Sequence, residues 1–290
     1  MASGNTITSN LIDSLPTWIM KARQIREFEG VVPQLVERQT LGKGLGLTWN
    51  EVSFDKLTAQ AITETTVLNN PQQITDNKFS ITPTVIGIMT LITDRVGARI
   101  SKTAFAQIGG LAQNAVQRKK NADGITMFDG FTLSFPGSAG TTLTSGHIAA
   151  AMARITGNST EPGNPPYRCV LHGYQLRDIE DEIAVTGTYP IMEGLTARVF
   201  KERFRGMIAG AQLYEDGNIS VATSTSAKGA VFAQEAIVLV EGRAPRAVAV
   251  RKEEIGGGAT AIYHYDEYAY GERLDAWGVE IWSDATPPTS

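Results

Sequence analysis

The stretch from Thr82 to Asn121 constrains the fold most: an apolar run behind a proline, followed by a long amphipathic pattern. Proline has a fixed φ and no N–H, which suits Pro83 to the first turn of a helix. Val85, Met89, Ile92 and Val96 then fall at i, i+4, i+7 and i+11, one stripe of a helix. Gly97 and Ser101 weaken the pattern and predict a bend. From Lys102 the stripe resumes with Phe105, Ile108, Ala112 and Val116, while Lys102, Gln107, Gln113, Asn114 and Gln117 take the wetter positions. A helix over Lys102–Lys120 would be roughly 28 Å long. Arg118, Lys119 and Lys120 would complement the dipole in its last turn, a reading favoured over phosphate binding, and Gly124 would end it. Gly109 and Gly110 each cost about 1 kcal/mol relative to Ala, so a helix that keeps them should have something packed closely against it.

The residues before this spine lack a core of their own. Residues 1–30 are polar at first, then cluster Leu11, Ile12, Leu15, Trp18, Ile19 and Met20. Trp18 and Ile19 would have to bury against another part of the chain or another copy. From Gly42 the texture changes: Leu45, Leu47 and Trp49 alternate, Val52 and Phe54 continue out of phase, and Phe79 and Ile81 alternate before Pro83. Between them lies a Thr-, Asn- and Gln-rich stretch, so two extended strands joined by a long polar excursion are expected. A lone two-stranded hairpin is marginal in water and needs a partner surface, which the rest of the sequence does not obviously offer. Gly42, Gly44 and Gly46 lack the Gly-Lys-Ser/Thr ending of a phosphate loop, which favours a flexible or closely packed start to a strand.

Beyond the spine the chain reads as a mixed α+β body. Phe128, Phe131, Leu133 and Phe135 suggest short strands, and a helix from Ser145 carries Ile148, Met152 and Ile155 on one face and stops at Gly157. A loop over 158–166 separates it from a strand at Tyr167–Leu171 and a helix with Leu176, Ile179 and Ile183 inward. Phe204 to Leu213 leads to an Asp216-Gly217 turn, Ile237–Val240 looks like a buried strand, and the tyrosine-rich Val248–Trp282 stretch is strand-like around Gly256-Gly257-Gly258.

The chemistry-bearing residues do not converge. Cys169 and His172 supply half of a zinc site with no second pair nearby, and a packed strand end is favoured. Asp178, Glu180, Asp181 and Glu182 are better read as the solvated face of a helix than as a cation site. Tyr263, Tyr265, Tyr268 and Tyr270 resemble a base-stacking platform, but Asp266, Glu267 and Glu272 among them would repel phosphate, which favours core or interface packing. A net charge of −4 argues against a dedicated DNA-reading face, and 42% hydrophobic with 19% charged residues excludes a disordered chain. The single cysteine rules out an intrachain disulfide and points to a reducing compartment. The first residues lack the basic and apolar regions of a signal peptide, and the run from Val85 is too interrupted to span a bilayer. No catalytic residue, cofactor or metal is expected.

The order of parts resembles the major capsid proteins of tailed bacteriophages, which share the HK-ninety-seven-like shell fold. The similarity lies in Lys78–Ser101 (hairpin return into helix), the Lys102–Lys120 spine, the Phe204–Tyr214 strand before Asp216-Gly217, and the Asp266–Asp284 close with Arg273-Leu274-Asp275 and Gly278-Val279-Glu280-Ile281. The resemblance implies an α+β fold with an N-terminal arm (1–39), an extended β-hairpin loop (40–82), a peripheral domain with the spine helix (83–143), an axial domain (144–245) and closing strands of the peripheral domain (246–290). It implies pentamers and hexamers in an icosahedral head around double-stranded DNA held by non-specific contact, assembled in the host cytoplasm. Scaffolding, portal and decoration proteins would be further partners. Trp18, Ile19, Trp49, Phe54, Lys56, Phe79, Tyr214 and Asp216 would then meet neighbouring copies. Some members crosslink a Lys of the loop to a neighbour's Asn; Lys56 lies in the matching region, but no acceptor is identifiable and no crosslink is expected. The alternatives are an encapsulin-type nanocompartment and, in another class, a soluble α/β enzyme built on Cys169, His172 and the Asp178–Glu182 helix.

Overall fold

The computed structural model describes residues 27–28, 30–65, 67, 71–99, 102–185, 206–221, 225–255 and 257–288, with the side chains of 102–107 and 183–185 left aside. Two sheets and one long helix make the body. A short helix α1 (Val32–Leu35) leads into strand β1 (Glu37–Thr40). The hairpin strands β2 (Trp49–Phe54) and β3 (Asp76–Ile81) pair antiparallel with each other, from Trp49 opposite Ile81 to Phe54 opposite Asp76.

Thr84–Thr93 is a strand, β4, and not the helix that its apolar spacing predicts. The run is rich in β-branched residues, with Val85, Ile86, Ile88, Thr90, Ile92 and Thr93, which fit a pleated surface better than a helix. Its partner is the long β11 (Ala259–Glu272), which supplies ten consecutive register pairs from Ala259–Thr93 to Tyr268–Thr84. Helix α2 (Asp94–Gly97) occupies only the turn after β4, and α3 (Lys102–Thr126) comes next as the spine.

The spine runs past Lys120 and past Gly124. Arg118, Lys119 and Lys120 are therefore interior to the helix, and they pair with carboxylates instead of capping it: Arg118 with Glu27 at 3.0 Å, Lys119 with Asp123, and Lys120 with Glu241 and Asp266. Gly124 is a packing position. A Cβ there would stand 2.7 Å from Val32 Cγ1 and 3.1 Å from Tyr270 Cζ. Gly109, expected to lie under a close neighbour, has nothing of its own chain within 4 Å of where a Cβ would sit.

The first sheet has the order β1-β10-β11-β4, where β10 is Ile237–Lys252; β1 and β10 are parallel and the other pairs antiparallel. The second has the order β5-β12-β9-β6-β8-β7, built from β5 (Ser134–Pro136), β6 (Tyr167–Leu171), β7 (Met207–Ile208), β8 (Ala211–Glu215), β9 (Ser226–Ala233) and β12 (Gly278–Asp284). Strand alternation sorts its side chains onto two faces. Val170, Ala230 and Phe232 join the core beneath α1 and Phe128, while Cys169, Leu171, Val231, Val279 and Ile281 meet Ile148, Met152 and Ile155 of α4 (Ser145–Thr156) and Leu176 and Ile179 of α5 (Gly173–Val185).

Val32, Leu35 and Val36, placed by sequence at the end of an arm, are buried in the first of these cores. The acidic residues of α5 also depart from expectation. Asp178 accepts from Leu143 N–H at 3.2 Å, Glu182 accepts from Ser145 N–H at 2.6 Å, and Glu180 is buried, so only Asp181, paired with Arg177, matches a solvated face. Two carboxylates thus hold the N-terminal end of α4, where the helix dipole favours negative charge.

The two glycines give a sign test. Gly109→Ala should stabilise the chain by about 1 kcal/mol, as helix propensity dictates, whereas Gly124→Ala should destabilise it because Val32 and Tyr270 must give way. Urea unfolding of both variants measures the difference, and a Gly124→Ala chain as stable as Gly109→Ala would contradict the packing reading.

Candidate assembly surfaces

The hairpin β2–β3 is anchored at its base and bare beyond it. Trp49 and Phe79 meet edge to face at 6.1 Å, and together with Leu41 they pack against Ile81, Val238 and Val240. Alternation on β10 makes this contact available, because Ile237 and Leu239 point into the core beneath α1 while Val238 and Val240 face the hairpin. The chain thus supplies the partner surface that its sequence does not reveal. Gly271 sits under the contact, since a Cβ there would meet Ile81 and Phe79 within 3 Å.

Arg273 clamps the same base. Its Nε donates to Glu51 on β2 at 2.9 Å, one guanidinium nitrogen donates to Glu37 on β1, and that nitrogen also reaches the Glu235 carbonyl at 3.0 Å. The hydrogen bond from Arg273 holds the Glu37 carboxyl below the usual glutamate range. Gly44 and Gly46, with φ of +84° and +92° and nothing within 4 Å, serve the turn into the hairpin by backbone conformation alone.

Farther out the hairpin is exposed. Phe54 is 71% exposed, and Val52, Leu57, Ile62, Val67 and Ile74 are exposed with it. Lys56 touches the body through the Ser159 carbonyl at 3.1 Å and the Thr160 carbonyl at 3.5 Å. A second apolar surface lies on β4, the edge strand of its sheet, where Val85 and Met89 are 66% and 51% exposed. An exposed apolar edge is a template for pairing with another chain. Sequence reasoning missed it by assigning these residues to a helix; the density of β-branched residues was the signal that could have found it.

Of the residues expected at interfaces, Phe54 and Lys56 are exposed, and Trp49 and Phe79 are half-buried against the chain's own body. Tyr214 is half-buried, its hydroxyl accepting from Arg168 at 2.8 Å and donating to Gln212 at 2.9 Å. Asp216 is a correction. It is 1% exposed, and its carboxylate accepts from Asn121 at 2.8 Å, from Val31 N–H at 3.4 Å and from Asn218, so it has no surface to offer a neighbour. Trp18 and Ile19 lie outside the described residues, as does Phe204.

The residues weighed for catalysis do not form a reactive site. Cys169 is fully buried, and burial pushes its thiol far above the ordinary range. Burial likewise lowers His172, against the nearby charges of Glu215 and Asp216. Among the described residues no group of three or more metal-ligating side chains gathers, and no helix is long and apolar enough to cross a membrane.

An anchored hairpin, a spine helix and two sheets define the α+β fold of phage capsid subunits, and solved structures share it along nearly the whole chain. The capsid subunit of cyanophage Pam1 superimposes with a TM-score of 0.75 at 11% identity, covering 99% of this chain and 100% of that one. That of cyanophage P-SCSP1u gives 0.71 at 14% identity, with 97% and 96% covered. The mature capsid of bacteriophage PhiM1 gives 0.67 at 15% identity, with 94% and 93% covered. No family model matches the chain, and no curated protein matches it in sequence.

The clamp predicts an acid sensitivity. A carboxyl with a lowered folded pKa contributes stability that is present above the unfolded value, 4.5 for Glu37, and lost as pH falls through the folded value. Urea midpoints should therefore fall below about pH 4.5, and Glu37→Gln should flatten that part of the profile. An unchanged acid slope in Glu37→Gln would show that Arg273 does not hold this carboxylate.

Proposed function

We propose that this chain is the major capsid protein of a tailed phage, a non-enzymatic subunit whose copies form pentamers and hexamers of an icosahedral shell around double-stranded DNA. One observation carries the reading: the chain matches capsid subunits over nearly their entire length as well as its own, so the resemblance extends to the hairpin as well as the body. The geometry supports it. A hairpin whose base is fixed by Trp49, Phe79 and Arg273 holds its apolar outer part away from the chain's main cores, in reach of a neighbouring copy. The two exposed apolar surfaces, hairpin and β4 edge, differ in kind, which suits a head-to-tail contact between unlike patches. We assign 83–143 and 246–290 to a peripheral part that carries the spine helix and 144–245 to an axial part, with β5 and β12 of the peripheral segments pairing into the second sheet. Assembly takes place in the host cytoplasm, with portal, scaffolding and decoration proteins as further partners.

Expression of the chain alone, followed by size-exclusion chromatography and negative-stain electron microscopy, tests the proposal. Rings of five or six, sheets or closed shells are expected, and Phe54→Asp should leave the subunit folded while raising the concentration needed for assembly roughly tenfold or more. A chain that stays monomeric at high concentration, with or without a co-expressed scaffold, would contradict it. Nuclease-resistant DNA in particles from infected cells separates a genome shell from a cargo compartment.

A further inference from the structure

The hairpin is held to the body at a second point, farther out than its base. Lys56 follows β2, and its ammonium donates to the Ser159 carbonyl at 3.1 Å and reaches the Thr160 carbonyl at 3.5 Å. Among the described residues it pairs with no carboxylate. The polar groups beside it turn inward to the hairpin itself. Asp55 N–H donates to the Thr75 carbonyl at 3.1 Å, Asn77 donates to the Asp55 carboxylate at 3.2 Å, and Thr58 N–H donates to Gln72 at 2.8 Å.

The loop that receives Lys56 is fixed in its turn. Trp277 Nε1 donates to the Glu161 carbonyl at 2.9 Å, the Tyr167 hydroxyl donates to the Gly163 carbonyl at 2.7 Å, and Asn164 N–H donates to the Glu235 carboxylate at 2.9 Å. A Cβ at Gly163 would stand 2.8 Å from Ile155 Cγ2, so the loop lies tight on α4. Glu235 serves both ends of the hold, because its carbonyl accepts from Arg273 in the clamp at the hairpin base. Glu51 in that clamp and Lys56 are five residues apart on an extended chain, about 17 Å. A strand pair held at its base alone can pivot, whereas one held at two points that far apart has its angle set. An ammonium on carbonyl oxygens is a charge-assisted, directional tie, which suits it to that task.

We propose that Lys56 is a positioning residue for assembly: it latches the outer hairpin to the 158–160 loop of its own chain and so sets the angle at which the hairpin meets a neighbouring copy. The consequence for assembly rests on the shell reading; the latch itself does not. Lys56 then acts before contact, by removing a freedom that the hairpin would otherwise lose on association.

The test reads the hairpin angle in the full chain, below the concentration at which it assembles. Spin labels at Ala59→Cys in the hairpin and Arg154→Cys on the exposed side of α4 give their separation by pulsed electron paramagnetic resonance; the native Cys169 is fully buried and takes no label. A narrow distance distribution is expected, broadened by Lys56→Met and narrowed again by Lys56→Arg, which keeps the charge and the donors. Lys56→Met should also raise the concentration needed for particles roughly threefold or more. An equally narrow distribution in Lys56→Met overturns the proposal. A broadened distribution with particles still forming at the wild-type concentration also overturns it, since the angle would then not matter to assembly. A wild-type chain that forms no particle, while Lys56→Met still broadens the distribution, removes the shell reading and leaves the latch standing.

Discussion

Two adjacent residues of the spine helix, Lys120 and Asn121, tie this structure together. Lys120 is buried between Glu241 of β10 and Asp266 of β11, so it fastens the helix to the first sheet. Asn121 donates to Asp216, which comes just after β8 of the second sheet, and accepts from Val32 N–H at 3.1 Å. One helical step thus joins both sheets and the start of the described chain. A buried ion pair adds little net stability over an apolar substitute, but losing one partner strands the other charge and is costly. The arrangement therefore specifies the approach of helix and sheet more than it strengthens it, and Gly124, one turn on from Lys120, fixes the distance by admitting Val32 and Tyr270.

With that core fixed, the hairpin can be rigid at one end and unsatisfied at the other. Val238 and Val240 receive its base because β10 is buried on both faces there. Two strands alone cannot hold themselves straight in water, so the fixed base and the Arg273 clamp set the direction in which the outer part projects. The apolar side chains farther out are then available without a folding penalty at the moment of contact. That preorganisation lowers the entropic cost of association.

Much of this was legible in the residues. Alternation at Trp49, Phe79 and Ile81 gave the hairpin, and the spacing of Ile148, Met152 and Ile155 gave α4. The failures have specific causes. Across β4 and α2, Val85, Met89, Ile92 and Val96 fit a helical stripe by coincidence, because side chains on both faces of the β4 edge strand are apolar and no alternation remains to contradict it. Gly124 looked like a helix stop because a glycine admitted for a neighbour's approach cannot be told from one admitted for its φ without that neighbour. Asp216 and the acids of α5 looked solvent-facing because local spacing does not show the backbone N–H groups of Val31, Leu143 and Ser145, which reach them from distant parts of the chain.

The charge of the chain carries the last step. A net −4 describes a molecule that would repel a polyanion at long range, and it argues against a dedicated DNA-reading face. Beyond a Debye length of about 8 Å at physiological salt, however, the sum matters less than which charges are locally neutralised. Along the spine the carboxylates Asp123, Glu241 and Asp266 are drawn into contact with Lys119 and Lys120. Arg243 and Arg246 stand on the bulged part of β10, with the Arg246 guanidinium 5.4 Å from the centre of the Tyr265 ring. The sum therefore describes no single face, because these acids are fixed in packing contacts with lysines of the spine.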